Sequence, residues 1–209
     1  MSLARAELTG PSLSRLGPTL QWTARRLWLI YVVLTVLEFG MLHYLGGLGM
    51  FDAVNYSLTT LPSGGFGTSD AGIMGFESAR VEVILIVFML LTCINFSLLH
   101  LMLAGRGKEA WKDEELRTYM LILFVAWMAM SFNLYRFGTS EGGLAPMVAI
   151  RQALFQSISI SSTGYSSADF ASWPVFSQFI LLLLMIVGAS AGSTGGGLKV
   201  MRIRIAFEL

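Results

Sequence analysis

The residues with chemistry to offer are concentrated in "SISISSTGYSSADF", residues 157–170. Hydroxyl side chains at this density, with a glycine among them, suit a mobile surface loop. They equally suit a backbone turned so that its oxygens face something that needs oxygen ligands. A second stretch, "TTLPSGGFGTSD" at residues 59–70, answers it. Sliding the chain on itself by 99 residues lays Ser63-Gly64-Gly65-Phe66 over Ser162-Thr163-Gly164-Tyr165, Thr68 over Ser167 and Asp70 over Asp169. One such loop is most simply a place where hydroxyls bond neighbouring helices. Two in register form an internal repeat, and repeats present equivalent loops to a common axis.

The chemistry such loops support is cation coordination. Bends at Gly65 and Gly164 let successive carbonyls point inward, since glycine adopts dihedrals that other residues resist. Rings of carbonyls replace the hydration shell of a monovalent cation, and Ser63, Ser162 and Thr163 could add hydroxyl oxygens. No lysine or arginine lies between residues 60 and 70 or between 157 and 170. Asp70 and Asp169, at the outer mouth, would raise the local cation concentration.

The elements that must hold these loops follow from hydropathy. Hydrophobic residues make up 55% of the 209 and charged residues 13%, about half the charged fraction usual in soluble domains. Mean hydropathy is +0.67. Four segments are apolar over about the 20 residues that a bilayer core requires: Leu27–Leu45, Val81–Leu103, Thr118–Phe137 and Val175–Met201, the last interrupted by "GASAGSTGGG" at 188–197. Between them, the segments leading into the two loops begin as amphipathic helices of about a dozen residues. These are too short to span and are expected to be re-entrant. The expected fold is therefore an all-α integral membrane protein of two parallel helix–pore-helix–helix repeats, with four spans and two pore hairpins. Its parts are a cytoplasmic N-terminal segment (1–26), a first repeat (27–105), a cytoplasmic loop (106–117) and a second repeat (118–209).

Eleven of the fourteen Lys and Arg residues fall on one side: Arg5, Arg15, Arg25 and Arg26, Arg106, Lys108, Lys112 and Arg117, and Lys199, Arg202 and Arg204. The positive-inside rule makes that side, and the N-terminus, cytoplasmic. The first 26 residues are polar, contain Pro11 and Pro18, and do not read as a signal peptide. The run at 188–197 holds five glycines, each costing about 1 kcal/mol relative to alanine in a helix interior. It is expected to be unwound below the carbonyl rings, as a flexible gate built from Gly188, Gly192, Ser193, Thr194, Gly195, Gly196 and Gly197.

Other readings fall away. A net charge of +1 offers no basic face for nucleic acid. Cys93 is the single cysteine, so no intrachain disulfide forms. His43 and His100 are isolated at opposite faces, which argues against a transition-metal site. "GSTGGGLK" lacks the adjacent Gly-Lys followed by Ser or Thr of a phosphate-binding loop. Glu82 sits near a helix end and reads as facing headgroups. Glu38, at membrane depth, is a functional candidate by position alone.

Taken together, "TTLPSGGFGTSD", "SISSTGYSSADFASWP" and "GASAGSTGGGLKVMRIRI" make the chain, from about residue 22 onward, resemble the membrane subunit of the Trk/Ktr/HKT superfamily of potassium transporters, most closely its TrkH branch. That family builds one pore from four such repeats. The resemblance implies that Ser63, Gly64, Gly65 and Phe66 form one potassium-binding filter strand and Ser162, Thr163, Gly164 and Tyr165 another. It implies that residues 188–197 are the gating loop of the third repeat. The expected setting is a bacterial inner membrane, with K+ as the transported ion, no bound cofactor and no enzymatic chemistry. A cytosolic nucleotide-binding regulatory subunit of the TrkA type would meet the basic segments 106–117 and 199–204. Only the second and third repeats are present, so the missing repeats or a second copy must close the pore. Pro62 stands where the family usually has a hydroxyl residue. The alternatives are a potassium symporter coupled to sodium or protons, and a non-conducting assembly subunit.

Overall fold

The computed structural model describes residues 20–138 and 143–200. The expected N-terminal segment up to residue 19, with Arg5 and Arg15, and Arg202 and Arg204 near the C-terminus lie outside the described residues. Within them the regular structure is helical. Helix α1 (Leu20–Gly40) runs into a π-helical turn (Met41–Leu45), and α2 (Met50–Thr60) follows. Beyond the first loop and a 3-10 turn (Gly72–Phe76) come α3 (Ala79–Cys93), α4 (Phe96–Leu103) and a single turn, α5 (Gly107–Ala110). The second half repeats the order: α6 (Glu114–Phe137), α7 (Pro146–Ser161), a 3-10 turn (Phe170–Ser172) and α8 (Val175–Val187).

Helix starts obey local chemistry. Ser78, Asn95 and Asp113 each accept a backbone N–H at the head of α3, α4 and α6, satisfying donors that the helix itself leaves free. Pro146 opens α7, where its missing N–H costs nothing. The core gathers apolar residues of both halves, among them Leu42, Tyr56, Leu85, Met89, Met130, Leu134 and Phe155. Outward, α1, α6 and α8 carry exposed Trp28, Val36, Phe124, Phe132, Phe179 and Leu182, as helices facing hydrocarbon or further helices do.

Among the described residues two helices are long and apolar enough to cross a membrane: Ala24–Leu45, which is most of α1 with its π turn, and Glu114–Phe137, which is α6. The expected second span, Val81–Leu103, is not one rod. It breaks between α3 and α4 with a bend of 110°. Ile94 is extended (φ −80°, ψ 143°), and the Asn95 side chain caps the new helix on the Ser97 N–H. The freed backbone finds partners in the glycine-rich segment. The Thr92 and Cys93 carbonyls accept from the Thr194 and Ser190 N–H groups (3.3 and 3.2 Å), and the Phe96 N–H reaches the Gly192 carbonyl (3.1 Å). Irregular backbone at membrane depth persists where protein satisfies it. The first helical part of the fourth expected span is 13 residues long, about 20 Å at 1.5 Å per residue, and stops at Gly188. There φ is +66°, and a side chain would overlap the Gly196 carbonyl oxygen.

Candidate functional site: two facing loops and a glycine-rich seat

Each loop leaves the C-terminal end of its short helix by the same hydrogen bonds. The Ser63 N–H donates to the Thr60 carbonyl (2.9 Å), and the Ser162 N–H, 99 residues on, donates to the Ser159 carbonyl (3.0 Å). Gly65 and Gly164 then take φ +70° and +84°, the left-handed bend expected at both. The loops meet: a Cβ on Gly65 would overlap the Thr163 carbonyl oxygen. Gly65 is thus required for its lack of a side chain as well as for its dihedral. The two carbonyl-bearing turns, far apart in sequence, come together at one place.

A frame of hydroxyls holds the turns from behind. The Thr59 hydroxyl lies 2.8 Å from the Phe66 carbonyl, and Ser159 Oγ donates to the Tyr165 carbonyl at 2.7 Å. Tyr165 is buried at 3% exposure, while Phe66, at the matching position of the first loop, is 75% exposed. The Tyr165 ring tilts against Tyr56 at 5.5 Å, and its OH lies 2.6 Å from Thr59 Oγ1 and 3.3 Å from Thr60 Oγ1. Thr60 spends its hydroxyl hydrogen on the Tyr56 carbonyl at 2.7 Å. Thr59 and Thr60 are therefore a second contact by which the second loop grips the first repeat. Their only sequence signal was the hydroxyl run "TT" just before the loop.

The three hydroxyls expected to add ligand oxygens each have a protein partner. Ser63 Oγ donates to the Thr194 carbonyl (2.6 Å), Thr163 Oγ1 to Met89 Sδ (2.9 Å), and Ser162 Oγ lies 3.4 Å from Thr92 Oγ1. All three hydroxyls turn toward protein, so each loop serves as backbone on a side-chain scaffold. Asp169 is exposed and caps a 3-10 turn through the Ala171 N–H (3.2 Å); Asp70 is exposed in the corresponding turn. Neither sits in the bend itself.

The segment 188–197 lies against the first loop's base. Thr194 Oγ1 donates to the Leu61 carbonyl (2.8 Å), while its own carbonyl receives Ser63. The Ala191 N–H donates to Glu115 Oε1 (2.6 Å), and Lys199 Nζ donates to the Gly195 carbonyl. Gly188, Gly192 and Gly197 all hold positive φ. Gly195 is buried, Ser193 and Thr194 half-buried, and Gly196 exposed. The break at Ile94–Asn95 and the acceptor Glu115 carry little sequence signal; Asn95, with Ser97 two residues on, inside an otherwise apolar run is the available hint.

Two acids need placing. Glu82 pairs with Arg151 of α7 (3.1 Å), which ties a short helix to α3 and replaces the expected headgroup contact. Glu38 is fully buried near Thr60, and among the described residues neither carboxyl oxygen has a partner in hydrogen-bond geometry. Among the described residues no group of three His, Cys, Asp or Glu side chains gathers as a metal site.

Against this geometry the comparisons are direct. The family model TrkH, a cation transport protein, matches residues 1–209. The Trk system potassium uptake protein TrkH of Vibrio parahaemolyticus is 38% identical over 97% of this chain and 42% of its own length. Its Escherichia coli K12 counterpart is 37% identical over 100% of this chain and 43% of its own. TrkG from the same E. coli strain is 31% identical over 99% of this chain. The crystal structure of the potassium transporter TrkH from Vibrio parahaemolyticus superposes with a TM-score of 0.84 at 35% identity, covering 98% of this chain and 44% of that one. The chain spans less than half the length of these relatives, and the all-α fold is shared with that solved structure. The chain belongs to the TrkH family of cation transport proteins.

Proposed function

We propose that this chain is half of a potassium-uptake pore in a bacterial inner membrane, with the turns at residues 63–66 and 162–165 as two of four filter strands. The observation that carries the reading is the approach of Gly65 to the Thr163 carbonyl. Two glycine-bent, carbonyl-bearing turns meet there with no Lys or Arg inside either one. Carbonyl oxygens at fixed positions substitute for water around a monovalent cation. The relatives' names as potassium uptake proteins support the choice of ion.

In this reading two further repeats, or a second copy, complete the ring. The short helices enter from outside, Asp70 and Asp169 stand at the outer mouth, and the N-terminus is cytoplasmic. Residues 188–197 gate the path beneath the filter. The basic segments 106–117 and 199–204 would meet a TrkA-like nucleotide-binding regulator. Transport is passive ion movement, with no covalent chemistry and no cofactor.

Growth of a potassium-uptake-deficient bacterium on limiting potassium tests this, with the chain expressed alone and beside segments supplying the missing repeats. Rescue with those segments supports the reading; absence of rescue in both, with protein present in the membrane, sinks it in favour of an assembly subunit. The unpartnered Glu38 carboxyl favours a second reading, coupled symport. Flux that follows voltage alone, indifferent to sodium and proton gradients, excludes that one.

A further inference from the structure

The glycine-rich segment is held mainly through its backbone. Its carbonyls and N–H groups pair with Thr92, Cys93 and Phe96 at the elbow between α3 and α4. Such bonds are available to nearly any sequence, and a segment with three glycines at positive φ has little stiffness of its own. What fixes it in one seat must come from outside. Ser63 Oγ does so at the Thr194 carbonyl near one end, and at the middle of the segment the outside group is Glu115. It is buried at 7% exposure in the first turn of α6, where a negative charge suits the helix dipole. Its Oε1 accepts the Ala191 N–H at 2.6 Å, and a bond to an ionised carboxylate is roughly twice as strong as a neutral one. Ala191 lies between Ser190, bonded to Cys93, and Gly192, bonded to Phe96. The carboxylate therefore holds the middle of the seat, between the two bonds to the elbow. Because α6 is a 24-residue helix anchored in the core, the grip comes from a rigid element.

We propose that Glu115 is the positioning residue that latches the segment 188–197 in its seat on the α3–α4 elbow, and so sets how readily the path below the filter opens. The opening part rests on the transport reading above; the latch does not.

Amide hydrogen exchange of residues 188–197 tests it, on the full chain in membranes with the segments that complete the pore, alongside potassium flux. Glu115→Ala is expected to accelerate exchange at residues 190–192 by about tenfold or more, the scale of a lost bond to a charged group. Glu115→Gln keeps an acceptor oxygen at the same reach and is expected to stay within about threefold of the parent. Glu115→Asp keeps the charge but withdraws it by one methylene, and should exchange like the alanine variant. It also carries the test if the alanine variant does not accumulate. Unchanged exchange in both Ala and Asp variants overturns the latch, whatever the flux. Faster exchange in both, restored by Gln, upholds it even where no variant and no parent carries potassium, an outcome that would remove the transport reading alone.

Discussion

The Tyr165 hydroxyl lies 2.6 Å from the Thr59 hydroxyl, joining the end of the second loop to the helix that launches the first. Thr59 has one hydroxyl hydrogen and two backbone carbonyls at 2.8 Å to give it to. With that hydrogen spent, Tyr165 is the donor. The bond thus crosses between repeats and bears on the spacing of the two carbonyl turns.

Tyr165→Phe removes that donor and keeps the ring against Tyr56. A neutral bond of this kind is worth about 1 kcal/mol net, so the preference for potassium over sodium should fall by roughly fivefold while the protein still inserts. Competitive rubidium and sodium uptake reads this directly. An unaltered ratio would mean that packing alone spaces the turns.

Gly65 and Gly164 share a dihedral but not a neighbourhood. An alanine at 164 meets open space and is strained only by its φ; an alanine at 65 also overlaps the Thr163 carbonyl. Left-handed strain alone is about 1–2 kcal/mol, so Gly164→Ala should lower flux roughly tenfold. Gly65→Ala adds backbone overlap and should lower it on the order of 100-fold. Equal losses at the two positions would refute the close approach of the loops.

Asn95 starts α4 by accepting the Ser97 N–H at 2.8 Å, and its amide lies under Gly192. Asn95→Ala should cost about 1 kcal/mol as a lost cap, and Asn95→Ser should recover most of it. Thermal unfolding of the membrane-embedded protein measures both. If alanine is as stable as asparagine, the elbow is held by the glycine-rich segment alone.

Replacing Gly195–Gly197 by alanines should change open probability by at least about fivefold and leave ion preference intact. Ala189 crowds position 195 and Gly188 crowds position 197, whereas a Cβ at Gly196 meets nothing. Gly196→Ala alone should accordingly be close to silent. Single-channel recording separates the two quantities, and a shift in selectivity with unchanged gating would remove 188–197 from the gate.

What the sequence made legible was local in origin. The 99-residue offset, the glycine bends and the end of α8 at Gly188 all follow from residues that act where they stand. The break at Ile94–Asn95 did not show, because "TCINFSLL" is apolar on both sides of it and the bonds that stabilise it come from Ser190, Gly192 and Thr194, about 100 residues downstream. The seats of the Ser63 and Thr163 hydroxyls escape the sequence for the same reason. Their partners, Thr194 and Met89, are 131 and 74 residues away, and composition holds no trace of such distances. Glu38 was visible as an acid at membrane depth; that both its oxygens go without partners needed coordinates.

The unequal fates of Phe66 and Tyr165 carry one more consequence. Tyr165 inserts into a socket made by Tyr56, Thr59 and Thr60 of the preceding repeat, so the contact between repeats is head-to-tail, with a plug on one side and a socket on the other. Contacts of that kind close into rings when the rotation permits, whereas a face that pairs with itself stops at two. Phe66 is the same plug one repeat earlier, with its ring bare. In the proposed ring, whatever completes the circle must approach it from that side and in that sense of rotation, which would give such a pore a direction around its axis as well as along it.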